Sequence, residues 1–106
     1  MIKIGLFCAA GFSTGMLVNN MKVSAEKRHI DVLIEAYPQS KLCDCVEDID
    51  VALLGPQVSY TFDQSEAICK DCDVPIAVIP MADYGMLDGD KVLSLALSLS
   101  EKKIPM

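Results

Sequence analysis

The run Cys8-Ala9-Ala10-Gly11-Phe12-Ser13-Thr14-Gly15 places one thiol at the head of a stretch of mostly small residues. Small residues let backbone N–H groups converge on a single bound group, and where such a run opens a helix it forms an anion nest. A cysteine at the head of such a nest, here Cys8, is placed to serve as a nucleophile. A phosphoryl group carried on that sulfur would be cradled by the backbone from Ala10 to Gly15. The competing reading is a small buried residue ending a strand, where free cysteines often lie. The segment alone leaves both open, because glycine-rich strand-to-helix turns are common in α/β folds.

The elements that must position this loop are read from periodicity. Residues 2 to 7 form a first strand, and residues 13 to 28 a helix whose Leu17, Val18, Met21 and Ala25 recur near helical spacing. Ser13 or Thr14 can cap that helix, and Lys27 and Arg28 suit the negative end of its dipole. Residues 30 to 36 form a second strand, with Asp31 and Glu35 turned to water as on a sheet edge. Residues 50 to 54 make a third strand, apolar without a break from Val51 to Leu54 and expected to be central, and a helix over 58 to 70 follows Gly55-Pro56-Gln57. A fourth strand over 75 to 79, a turn-rich segment from Asp83 to Gly89 and a last helix over 90 to 102 complete the chain. Val92, Leu93, Ala96, Leu97 and Ser100 form that helix's packing stripe.

The expected fold is α/β: an open four-stranded parallel sheet in the order 2-1-3-4, with helices on both faces. Ligands bind such sheets at the carboxyl ends of the strands where the order reverses. Here that is the crevice between the loops after Phe7 and after Leu54. Cys8 stands at its edge.

Composition narrows the classes. A chain of 106 residues suits one domain spanning 1 to 106, and 52% apolar residues with 23% charged residues suit a folded one. Its apolar runs are far shorter than the ~20 residues of a membrane helix, and Met1-Ile2-Lys3-Ile4 enters a strand without a secretory signal. A cytoplasmic, monomeric protein without direct membrane insertion is expected. A net charge of -6 disfavours nucleic acid. Five cysteines without an export signal read as reduced thiols.

Taken together, Leu6-Phe7-Cys8, Ala10-Gly11, Ser13-Thr14, Ala25-Glu26-Lys27, Ile34-Glu35-Ala36, Leu53-Leu54-Gly55-Pro56-Gln57 with Tyr60, and Tyr84-Gly85 with Asp88-Gly89 carry a resemblance. In order and spacing the chain resembles, over nearly its whole length, the IIB components of the lactose/cellobiose class of the bacterial phosphoenolpyruvate-dependent sugar phosphotransferase system. The resemblance implies that Cys8 accepts phosphate from a phosphohistidine on the IIA component. It implies too that Cys8 donates this phosphate to a sugar, of the cellobiose, β-glucoside or lactose type, bound by the membrane IIC component. It implies no cofactor. The loop departs from the family's pattern at Ala9, Phe12 and Gly15, where a hydroxyl residue, methionine and serine are common.

The strongest rival is a low-molecular-weight tyrosine phosphatase, whose Cys-x5-Arg loop hydrolyses phosphate esters; a non-enzymatic regulatory domain with an inert Cys8 is the other. The arginine position is here Thr14, and the only arginine, Arg28, lies a helix away, about 20 Å if the helix is regular. Phosphoryl transfer commonly calls for an arginine, lysine or metal to stabilise the equatorial oxygens. A loop of amides and hydroxyls suits a carrier, in which hydrolysis would waste the phosphate. The only histidine, His29, shares that remote end and reads as a surface imidazole.

Cys43-Asp44-Cys45 and Cys69-Lys70-Asp71-Cys72 match no familiar zinc module, and a redox pair would sit where the first strand meets a helix. No metal is expected; Cys69 reads as core and Cys72 as a helix end. Gln57 and Tyr60 follow a strand end beside the Cys8 loop and can face a partner. Tyr84, on a loop at the same edge, can contact the phosphate or a partner, or can simply pack on the sheet.

Overall fold

A computed structural model describes residues 1–9 and 12–103. Strands β1 (Ile2–Cys8), β2 (Val32–Pro38), β3 (Val51–Leu54) and β4 (Ile76–Val78) form one parallel sheet in the order β2-β1-β3-β4, as expected. Strand alternation divides the core in two. Ile4, Leu6 and Cys8 of β1, with Val51 and Leu53 of β3, face one side. Phe7 of β1, with Ala52 and Leu54 of β3, faces the other. All four residues of β3 are buried, because a strand flanks it on each side and helices cover both faces.

Helices α1 (Phe12–Lys27) and α5 (Gly89–Lys103) cover the first face with the stripes read from the sequence: Leu17, Val18, Met21 and Ala25 meet Val92, Leu93 and Ala96. On the second face lie α2 (Leu42–Cys45) and α3 (Phe62–Asp71), which contribute Leu42 and Cys69. A further short helix, α4 (Met81–Gly85), follows β4.

The departures from expectation have local causes. α1 begins at Phe12, so Ser13 and Thr14 occupy its first turn and not its cap position. β2 runs two residues later than expected, through Pro38, an edge position where proline is tolerated. The helix expected over 58 to 70 is two pieces, a 3-10 turn over Pro56–Thr61 and then α3, with the break at Val58 (φ −114°, ψ 20°). The Thr61 hydroxyl donates to the Val58 carbonyl at 2.7 Å and stabilises that break. α2 and α4 replace expected loop; at four and five residues they are too short to show a helical period.

The seam between α1 and α5 fixes where α1 lies. A Cβ at Gly89 would stand 2.4 Å from the Asn20 carbonyl carbon and 2.5 Å from the Met21 nitrogen, so the start of α5 rests directly on the α1 backbone. Beside it the Asn20 amide donates to the Leu87 carbonyl at 2.9 Å. At the far end of α1, Arg28 forms an ion pair with Asp90 and donates to the Ser94 hydroxyl at 2.9 Å. The Ser24 hydroxyl donates to the same Asp90 carboxylate at 2.7 Å. His29 ends the helix in the left-handed region (φ 57°), and Ile30 N–H bonds back to the Ala25 carbonyl at 2.9 Å.

Gly89→Ala should lower stability by about 1–3 kcal/mol, since two backbones must separate. Gly15→Ala should raise it by about 0.5–1 kcal/mol, because a Cβ at Gly15 meets nothing within 4 Å and the helix gains propensity. Urea unfolding midpoints check both.

The Ser24 hydroxyl, with the Arg28 guanidinium behind it, holds the Asp90 carboxyl below its usual range. A depressed carboxyl contributes stability above its unfolded value of about 3.9 and loses it as pH falls through the lower folded value. Asp90→Asn should therefore be less stable than the parent at neutral pH, and the gap should narrow steadily below about pH 4.

Candidate functional site

Cys8 is the last residue of β1 and only 3% exposed. β1 pairs with β2 on one side and β3 on the other, so the strand order reverses around it. The last β1–β3 pair is Phe7 with Leu54, and Gly55 N–H donates to the Phe7 carbonyl at 2.9 Å. Cys8 therefore stands beside Gly55 at the mouth of the crevice.

The closeness of this approach is set by what Gly55 lacks. A Cβ there would lie 2.6 Å from Cys8 Sγ and 2.9 Å from Gln57 Oε1, inside the contact distance of both. Gly55 has an ordinary extended backbone (φ −64°, ψ 149°), so it is required for space and not for conformation. Pro56 then starts the 3-10 turn, closed by Val58 N–H on the Gly55 carbonyl at 3.1 Å, and Gln57 reaches back over the glycine toward the sulfur.

Across the crevice, the Thr14 hydroxyl and the Tyr84 phenol share a hydrogen bond of 3.0 Å, both side chains buried. This ties the first turn of α1 to α4. A groove of about 310 Å³ opens beside it, lined by Pro56, Gln57, Met81, Tyr84, Gly85 and Leu87. Tyr60 stands 84% exposed on the 3-10 turn.

Of the loop expected from the sequence, Ala9 is exposed after Cys8, and Gly15 is exposed on α1. Phe12 and Ser13 open that helix. Ala10 and Gly11 lie outside the described residues, as do the side chains of Phe12 and Ser13. The structure thus brings Gln57 to Cys8 and Tyr84 to Thr14. Sequence reasoning missed the steric role of Gly55, although a glycine directly after a buried strand is the usual sign of a close approach. It also missed the Thr14–Tyr84 pair, whose 70-residue separation leaves no local signal.

The other thiols lie elsewhere. Cys69 is fully buried on α3, and burial, with Cys72 beside it, pushes its thiol up to about 11. Burial and then the Asp44 charge also raise Cys45. Cys72 caps the end of α3, as read from the sequence. Among the described residues no three His, Cys, Asp or Glu side chains are grouped to hold a metal ion. Arg28 is engaged with Asp90 at the opposite end of α1. His29 is exposed in the turn that follows.

A parallel sheet whose order reverses beside a cysteine at the carboxyl end of its first strand, ahead of a helix N-terminus, is the arrangement in which α/β proteins place anionic ligands. The family model of the lactose/cellobiose-specific IIB subunit of the PTS system (the sugar phosphotransferase system) matches residues 3–95. The oligo-beta-mannoside-specific EIIB component of Bacillus subtilis is 36% identical over 99 residues, covering 93% of this chain and 96% of that protein. The galactose-specific EIIB component of Lactococcus lactis subsp. cremoris is 39% identical over 101 residues, covering 91% of this chain and 94% of that one. The solution structure of the cellobiose-specific IIB component from Borrelia burgdorferi aligns with a TM-score of 0.81 at 37% identity, over 99% of this chain and 96% of that one. The chain belongs to the lactose/cellobiose-specific IIB family of the phosphotransferase system, whose members are phosphotransferases that pass phosphate to sugar.

Gly55→Ala should reduce phosphoryl uptake by roughly a hundred-fold, the penalty that a displacement of about 1 Å can carry. Its added methyl must push Cys8 Sγ and the Gln57 amide aside, which phosphorylation kinetics with far-ultraviolet circular dichroism as the folding control would detect.

Proposed function

We propose that Cys8 is the nucleophile that carries phosphate between a phosphohistidine on a IIA component and a sugar bound to a membrane IIC component, and that the whole chain acts as one phosphocarrier domain. The observation that carries this reading is the placement of the Cys8 sulfur against Gly55 where the strand order reverses. In the first step the S–P bond forms as the N–P bond of phosphohistidine breaks, and the thiol proton ends on the departing imidazole nitrogen. In the second step a sugar hydroxyl oxygen takes the phosphoryl group, and its proton returns to the thiol. The backbone N–H groups of the Ala10–Gly15 segment hold the phosphoryl oxygens between the two steps.

The surroundings suit transfer better than hydrolysis. Thr14 stands where a Cys-x5-Arg hydrolase has its arginine, and its hydroxyl is shared with Tyr84. The donor and acceptor proteins supply the remaining stabilisation of the transferring group. Met16, Tyr60, Met81 and Met86 are exposed, and all follow carboxyl ends of strands on the edge that carries Cys8. Exposed apolar side chains gathered at one edge fit a surface that docks partners in turn. Gln57, Tyr60 and Tyr84 belong to this edge.

No helix among the described residues is long and apolar enough to cross a membrane. In the proposed role the domain acts on the cytoplasmic side, with transport left to the IIC component. Relatives named for oligo-β-mannoside and galactose are each under 40% identical yet align over more than nine-tenths of the chain. In this reading the sugar is chosen by the membrane component. For this chain it is of the cellobiose, β-glucoside or lactose type.

The test is intact-mass spectrometry after incubation with phosphoenolpyruvate, the general phosphotransferase proteins and a lactose/cellobiose-class IIA. One phosphoryl adduct is expected on the parent and on Cys43→Ser, and none on Cys8→Ser. An adduct that survives on Cys8→Ser would overturn the assignment.

A further inference from the structure

The geometry points to Gln57 as a side-chain ligand of the phosphoryl group: its carboxamide donates a hydrogen bond from Nε2 to a non-bridging oxygen of phosphate carried on Cys8. This inference rests on the proposed role of Cys8. Gln57 Oε1 and Cys8 Sγ lie 2.9 Å and 2.6 Å from one point, the Cβ position that Gly55 leaves vacant. A phosphoryl group added to that sulfur places its oxygens within reach of the carboxamide. A half-turn of that group exchanges its oxygen for the two donors of Nε2 at the same spot.

The backbone beneath Gln57 is fixed. Pro56 sets the start of the turn, and Val58 N–H closes it on the Gly55 carbonyl at 3.1 Å. The side chain is exposed, so it can change orientation as the sulfur gains and loses its load.

The loop also gives this donor a task. Only Ser13 and Thr14 of the loop carry a hydroxyl, and that of Thr14 is already shared with Tyr84. A carboxamide is a neutral donor that neither titrates nor activates water, so it can hold a phosphoryl oxygen without promoting hydrolysis. An acidic side chain there would repel the dianion.

The experiment loads phosphate from the IIA partner onto the parent, Gln57→Ala and Gln57→Glu. Phosphorus NMR and intact mass then follow each phosphoprotein, with the Gln57 side-chain amide resonance recorded in the parent. Phosphorylation should shift that amide resonance. Both variants should still accept phosphate on Cys8 but hold it at an occupancy lower by roughly ten-fold or more, the factor a hydrogen bond to a charged group commonly carries. Gln57→Glu should be the worse, although it keeps the shape of glutamine. Parent-like occupancy and phosphorus shift in both variants, or a Gln57 amide unmoved by phosphorylation, would overturn the inference while the role of Cys8 stands. A parent chain that takes no phosphate from a phosphorylated IIA overturns both.

Discussion

The site depends on a contact between the ends of two neighbouring strands. Gly55 N–H on the Phe7 carbonyl holds the end of β3 against β1. The missing side chain at Gly55 then lets the Cys8 sulfur and the Gln57 amide occupy the same small space. Cys8 is the last residue of β1, paired on its other side with Pro38. Its backbone belongs to the sheet, and its sulfur lies against Gly55 at the mouth of the crevice. A side chain set on a strand end is held in position by the sheet behind it.

The other half of the site is α1, which is held along its length. Its first turn is tied to α4 through Thr14 and Tyr84, its middle rests on Gly89, and its last turn is locked to α5 by Arg28 and Asp90. The three attachments differ in physical kind: a buried neutral hydrogen bond, a backbone-to-backbone contact and an exposed ion pair. The first two are insensitive to salt, whereas the third is screened by it. The position of the helix start against Cys8 thus rests on the two attachments nearest the site.

Much of this was legible in the sequence. Asp31 and Glu35 marked β2 as an edge, the unbroken apolar run of β3 marked it as central, and right-handed crossovers then led to the observed order, while the stripes Leu17-Val18-Met21-Ala25 and Val92-Leu93-Ala96 are helix faces that bury. Cys8 could be placed at the end of the first strand, ahead of α1, because an apolar run followed by small residues is a local pattern. What escaped notice was either short or long-range. α2 and α4 are too brief to carry a period, and the pairings of Thr14 with Tyr84 and Arg28 with Asp90 join residues more than sixty positions apart. Arg28 was read correctly as remote from the sulfur. That it closes the α1–α5 seam was visible only in three dimensions.

The removal of arginine from the thiol has a chemical consequence. In a Cys-x5-Arg hydrolase a cation opposite the nucleophile stabilises charge on the equatorial oxygens, whichever acceptor attacks, water included. Here the only arginine is committed to a carboxylate at the far end of α1, and the position it would occupy holds a neutral hydroxyl shared with a phenol. Neutral donors can retain a dianion in its ground state without lowering the barrier for water to attack it. In the proposed role, a phosphoryl group on Cys8 would wait for a cation brought by whatever docks in front of it, so withholding charge from the site would tie the lifetime of that group to docking.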